Sequence, residues 1–177
     1  FFSDARACAY DRAAMLNGLP ATQICFGNPD NFSYLPADMD GTRVPPAGTP
    51  NVHVSWNWYN VGPPYTMQLT KFKPNFVTPA LSTFDDGFGG AAFSSVNILV
   101  PGTLAPCNDA GTGTGFTCVQ QAGTSNTLDT LGDRHMYRLA YRNFGSYDAL
   151  LVTQSVDPDG AGARRAAVRW FEVRNPG

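Results

Sequence analysis

The segment 131–145, LGDRHMYRLAYRNFG, concentrates residue types that bind acidic ligands or transfer protons. It holds one of the two histidines of the chain, three arginines, one aspartate and two tyrosines. In an extended strand, Arg138 and Arg142 lie on one face about 13 Å apart, too far to clamp one carboxylate together. Ion pairs with carboxylates of neighbouring strands, such as Asp148 or Glu172, are therefore the favoured interpretation of these arginines.

We predict ligand binding at the entrance to this strand, by Asp133, Arg134 and His135, because binding residues cluster where strands meet loops. The ligand class that an arginine-lined pocket would take is an acidic sugar. A second candidate is Tyr59, whose ring could stack on a sugar. The alternation of the segment 52–59 places Tyr59 on the face opposite Val54 and beside a turn.

Other catalytic or metal-binding motifs are weak. The chain has no HExxH, GxSxG or CxxC motif, but its 14 acidic residues leave room for a glycosidase carboxylate pair. In DMDG, positions 38–41, the helix-flanked calcium motif fails because Thr42 and Arg43 occupy its fifth and sixth positions. A simpler calcium site of Asp38, Asp40 and backbone carbonyls is the one metal site left open. No other cofactor is predicted.

The four cysteines predict two local disulfides, Cys8–Cys25 and Cys107–Cys118. The second pair would close a polar loop that has few apolar residues to hold it. Disulfides persist in oxidising compartments, so we expect a secreted, extracellular protein. The alternative is four buried thiols in a cytosolic protein.

The composition predicts many short strands. Pro and Gly number 14 and 18, aromatic residues make up 12%, and charged residues make up only 15% with a net charge of −2. No basic surface indicates nucleic-acid binding, and no apolar run is long enough to span a membrane. A brief helix is expected after Asp11, which can cap it, with Asn17 and Gly18 ending it.

The last forty residues predict three antiparallel strands joined as a meander, RHMYRLAYRNFG, YDALLVTQSV and RAAVRWFEVR. On the first strand, His135, Tyr137, Leu139 and Tyr141 should share one face. Alternation is imperfect elsewhere, since Trp170 and Phe171 are adjacent apolar residues, so both faces should be partly covered. We therefore expect an all-β fold of antiparallel meanders packed as propeller-like blades, with a β-sandwich as the alternative.

The strings LGDRHMYRLAYRNFG, LLVTQSV and AAVRWFEVR resemble a set of large, secreted, largely uncharacterised bacterial proteins whose repeated strand units suggest a β-propeller. Upstream, ACAYDRAAMLNGLPATQICF and YLPADMDGTRVPPAGTPN resemble the preceding portion of the same proteins. The resemblance implies that residues 1–177 form a single all-β segment of a larger propeller. Its blade-like units would span roughly residues 1–50, 51–106 and 119–177.

The same resemblance implies an extracellular binding or structural scaffold module that is not catalytic by itself. Its expected partners are the remainder of the propeller or other protein chains, which would cover open sheet faces and edges. Carbohydrate is the expected small ligand class. The alternative function is part of a carbohydrate-active enzyme with a propeller fold, a glycoside hydrolase or lyase.

Overall fold

The structure, a computed structural model, describes residues 4–28, 33–56, 65–100, 117–158 and 166–176. It is mostly β, with 53% strand and 6% helix, which confirms the all-β prediction. No helix in these ranges is long and apolar enough to cross a membrane. The strands are β1 Ala5–Tyr10, β2 Gln23–Asn28, β3 Leu35–Met39, β4 Asn51–Trp56, β5 Tyr65–Lys73, β6 Thr83–Asp85, β7 Val96–Val100, β8 Thr117–Gln120, β9 Thr127–Asp129, β10 His135–Asn143, β11 Asp148–Val156 and β12 Ala167–Arg174.

One eight-stranded sheet organises most of the chain. Its strand order is β12-β11-β10-β3-β4-β5-β6, and β7 pairs with β5. The meander β10-β11-β12 is antiparallel, as the sequence predicts, but β3 joins β10 in parallel. That parallel pairing merges strands from all three predicted blade-like units into a single sheet. Among the described residues the sheets are therefore neither closed nor propeller-like, so the expectation of separate propeller-like blades is wrong here.

The two faces of the main sheet bury different groups of side chains. On β4, Val54 and Trp56 enter one core with residues from β5, β10 and β11, while His53 points to the opposite face. The opposite face is covered by the hairpin β1–β2, whose Ala7 and Ile24 share a cluster with Phe72 and Phe84. The alternation of apolar and polar residues in β4 thus correctly predicts that Val54 and Trp56 lie on one face and His53 on the other.

The hairpin β1–β2 is closed by a short helix and a disulfide. Helix α1, Arg12–Leu16, begins where the Asp11 carboxylate accepts a hydrogen bond from the Ala14 N–H (3.1 Å), as predicted. Cys8 and Cys25 are directly paired in the strand register and joined by a disulfide, the one that the described part of the chain shows. Cys107 lies outside the described residues, so the predicted Cys107–Cys118 bridge stays a prediction.

Strand β10 departs from simple alternation near its beginning. Met136 pairs with Thr153, but Ala140 pairs with Leu151, so four steps along β10 face only two along β11. This bulge turns Tyr137 outward, and its side chain is 83% exposed. The prediction that Tyr137 shares the buried face of its neighbours is therefore wrong, because alternation holds only where the register is continuous.

Candidate functional site

Asp133 and Arg134, the first two residues of the predicted binding entrance, form an ion pair with each other. Arg134 Nε donates to Asp133 Oδ1 (2.9 Å) and Arg134 Nη2 donates to Asp133 Oδ2 (2.6 Å), a forked pair. The Asp133 side chain is nearly buried, and its hydrogen bond raises the pKa of the Arg134 guanidinium. The charge that would attract an acidic sugar is thus already balanced by Asp133.

The third residue, His135, belongs to the core. Its ring meets Trp56 and Phe171 edge to face, with centroids 5.8 and 6.3 Å away. Burial lowers its pKa to about 4, and the nearby Ser55 backbone opposes this only in part. The Ser55 backbone lies close to the ring, but neither ring nitrogen makes a hydrogen bond of good geometry in the described part of the chain. The imidazole is consequently neutral at physiological pH, and ligand binding by Asp133, Arg134 and His135 stays a prediction.

Arg138 makes ion pairs, as the strand interpretation expects, but with different carboxylates. Its Nη1 lies 3.5 Å from Asp38 Oδ2 and its Nη2 lies 3.5 Å from Asp40 Oδ1. The expected partners are otherwise occupied: Asp148 accepts from a tyrosine hydroxyl and Glu172 pairs within its own strand. The choice of partners was wrong because β3, and not only β11, lies beside β10.

The same contacts bear on the candidate calcium site. The Arg138 guanidinium lies against both Asp38 and Asp40, so a calcium ion there would require that guanidinium to move away. Within the described ranges, no group of three or more His, Cys, Asp or Glu side chains is arranged to hold a metal. The calcium site left open at Asp38 and Asp40 is thus untested, and Tyr59 lies outside the described residues.

A groove that the sequence does not reveal runs between the hairpin β1–β2 and the main sheet. It encloses about 520 Å³, within the usual range for small-ligand sites. Cys8 lines its hairpin side, so the disulfide fixes the strands that form this wall. The residues that give it chemical character are Arg6, Tyr10, Tyr34, Asn51, His53 and Phe72.

His53 lies at the base of this groove, only 5% exposed. Its ring contacts those of Phe72, Phe84 and Tyr34, and burial lowers its pKa to about 4. The backbone of Asn51 opposes that shift in part. In the described part of the chain, no group hydrogen-bonds to His53 Nδ1.

Tyrosine and asparagine side chains supply further polar groups around the groove. The Tyr10 hydroxyl accepts a hydrogen bond from Gln23 (3.1 Å), and the Tyr10 ring is about half exposed. The side-chain amide of Asn51 donates a hydrogen bond to the Ala37 carbonyl (2.9 Å), so the side-chain oxygen of Asn51 points away from Ala37. The alternation of β4 indicates that His53 points away from the main core. Only the tertiary structure shows that the hairpin β1–β2 covers it.

Most of the described carboxylates lie within hydrogen-bond or ion-pair distance of a donor. Some pair with arginine, as Asp133 does, and others accept backbone N–H bonds in turns. The backbone bonds from Phe88 and Gly90 are the main cause of the lowered pKa of Asp86. The carboxylates with such a donor are Asp4, Asp11, Asp38, Asp40, Asp85, Asp86, Asp129, Asp133, Asp148 and Glu172.

No family model, curated protein or solved structure matches this chain. Functional inference therefore depends on its own geometry. That geometry offers a ligand-sized groove lined by the buried imidazole of His53, and carboxylates most of which lie beside a donor.

Proposed function

We propose that this chain is a non-catalytic binding or scaffold module of an extracellular bacterial protein. The observation that carries the proposal is the engagement of ten of the eleven described carboxylates by a cation or a hydrogen-bond donor. Glycoside hydrolysis needs one carboxyl group kept protonated near neutral pH, which burial without a donor or a neighbouring negative charge provides. Each of these ten carboxylates instead lies beside a guanidinium, a hydroxyl or a backbone N–H.

The disulfide supports the extracellular part of the proposal. Cys8–Cys25 joins the hairpin that covers the second face of the main sheet and forms one wall of the groove. Such a bridge persists where the surroundings are oxidising, as outside a bacterial cell. The disulfide in this hairpin is thus compatible with secretion.

The exposed apolar residues on the outer face of the meander support the proposal that a partner covers it. We expect that partner to be the remainder of a larger β protein or another chain. Tyr137, Val168, Trp170 and Leu151 are 83%, 77%, 64% and 46% exposed. Among the described strands, β12 is also an edge of the sheet, where another strand could pair with its outward hydrogen-bonding groups. Exposed apolar residues beside an open edge are typical of a surface that another element covers.

Catalysis is tested directly by incubating the purified chain with a panel of neutral and acidic polysaccharides. Reducing ends report a hydrolase, and the absorbance of unsaturated uronates reports a lyase. We expect neither product above the level of a heat-denatured control. Product formation that the double substitution Asp38→Asn and Asp40→Asn abolishes would instead favour the carbohydrate-active enzyme.

A further inference from the structure

We propose that the groove between the hairpin β1–β2 and the main sheet binds a short segment of neutral carbohydrate. The inference rests on the proposed binding function and names its ligand class. It differs from the sequence-based expectation in both place and chemistry, since that expectation was an acidic sugar beside arginines at the entrance to β10.

The balance of charge in the groove favours a neutral ligand. Arg6 is the one cationic side chain among the described lining residues, and its Nε is 2.8 Å from Asp4 Oδ2. His53 is neutral because burial opposes its protonation. An acidic sugar would bring a carboxylate into a groove whose only cation is already paired, and desolvating that carboxylate would be unfavourable.

The groove also matches the mixed surface of a sugar ring. A pyranose presents patches of C–H groups, which pack against an exposed aromatic ring such as that of Tyr10. Its hydroxyls both donate and accept hydrogen bonds, as the polar side chains along the groove do. Asn51 and Tyr10, at the groove wall, add further groups that can bond to neighbouring hydroxyls.

Calorimetric titration of the disulfide-intact chain tests the ligand class. The probes are cellobiose, mannobiose and maltotriose as neutral sugars, and digalacturonate as an acidic sugar of similar size. We expect saturable binding of at least one neutral probe and none of digalacturonate. Tyr10→Ala should weaken that binding at least about tenfold, because a stacking ring contributes that much or more.

Trp170→Ala is the matched control, since it removes a 64% exposed aromatic ring outside the groove and should leave the affinity unchanged. Asn51→Ala, which changes a groove side chain on the main sheet, should also weaken binding and guards against a local effect of Tyr10→Ala on the hairpin. Circular dichroism confirms that each variant is folded.

The ligand class is overturned if the folded chain binds no neutral probe, binds only digalacturonate, or binds equally well after Tyr10→Ala and Asn51→Ala. A chain that neither binds nor cleaves these sugars still stands as a scaffold or protein-binding module. If the chain cleaves a neutral probe and Tyr10→Ala abolishes that cleavage, the result would support the groove as the sugar site and overturn the non-catalytic function.

Discussion

The replacement of His135 by leucine should remove much of the sensitivity of this fold to mild acid. His135 is 6% exposed and its ring nitrogens have no hydrogen-bond partner in the described part of the chain. Burial holds its folded-state pKa at about 4, compared with 6.5 in an unfolded chain. Unfolding therefore takes up a proton between these two values, and stability falls as the pH is lowered through 6.5 and levels off below about 4.

The size of the effect follows from the two pKa values. One pKa unit corresponds to about 1.4 kcal/mol, so the fall from 6.5 to about 4 is worth about 3 kcal/mol once the unfolded chain is fully protonated. By pH 5 the loss is about 2 kcal/mol, before most carboxylates begin to titrate. His53 has the same direction and a similar pKa, so it should contribute a comparable loss.

The assay is urea unfolding followed by tryptophan fluorescence at pH 7, 6 and 5, with the Cys8–Cys25 disulfide intact. The wild-type chain should lose about 4 kcal/mol between pH 7 and pH 5, and His135→Leu about half of that. At pH 7, leucine removes two unpartnered buried nitrogens but also two ring contacts, so its net effect there should be small. An unchanged pH slope in His135→Leu, or a wild-type chain that gains stability on acidification, would refute the reasoning.

Three further perturbations test other parts of the fold. Arg138→Gln should lower the free energy of unfolding by less than about 1 kcal/mol, and by less still at high salt, because its ion pairs are largely exposed; urea titration at two salt concentrations measures this. The double substitution Cys8→Ser and Cys25→Ser opens a connection of 17 residues and should cost about 3 kcal/mol, measured by thermal and urea unfolding. Trp170→Ser should reduce concentration-dependent association in sedimentation velocity; association that is unchanged would show that this exposed face does not drive it.

The meander could be predicted from sequence because its signals are local. Strands β10, β11 and β12 are each apolar enough to pack, and short turns such as 144–147 connect neighbours in the chain. In that turn Gly145 adopts a φ of +94°, and its N–H is bonded by the Asn143 side chain (2.8 Å), both of which local sequence indicates. The bulge that exposes Tyr137 could not be predicted, because it depends on the register with β11.

The partners of Arg138 and the groove at His53 depend on contacts that are distant in sequence. Asp38 meets Arg138 only because β3 pairs in parallel with β10, and the intervening sequence contains no signal for that pairing. Similarly, alternation puts His53 on the face opposite Val54, but nothing local indicates that the hairpin β1–β2 covers that face. Composition and spacing therefore identify which side chains point away from the main core, and the topology determines which residues they contact.

The two histidines offer a final test that separates function from packing. Both are buried among aromatic rings, and both have a lowered pKa of about 4, yet only His53 lines the groove. His53→Leu should reduce the affinity for a neutral disaccharide at least about tenfold while it flattens the pH dependence of stability. His135→Leu should flatten that dependence equally and leave the affinity unchanged. Equal effects of both substitutions on affinity would mean that the imidazole at the base of the groove contributes to packing alone, because a residue in the opposite core cannot touch the ligand.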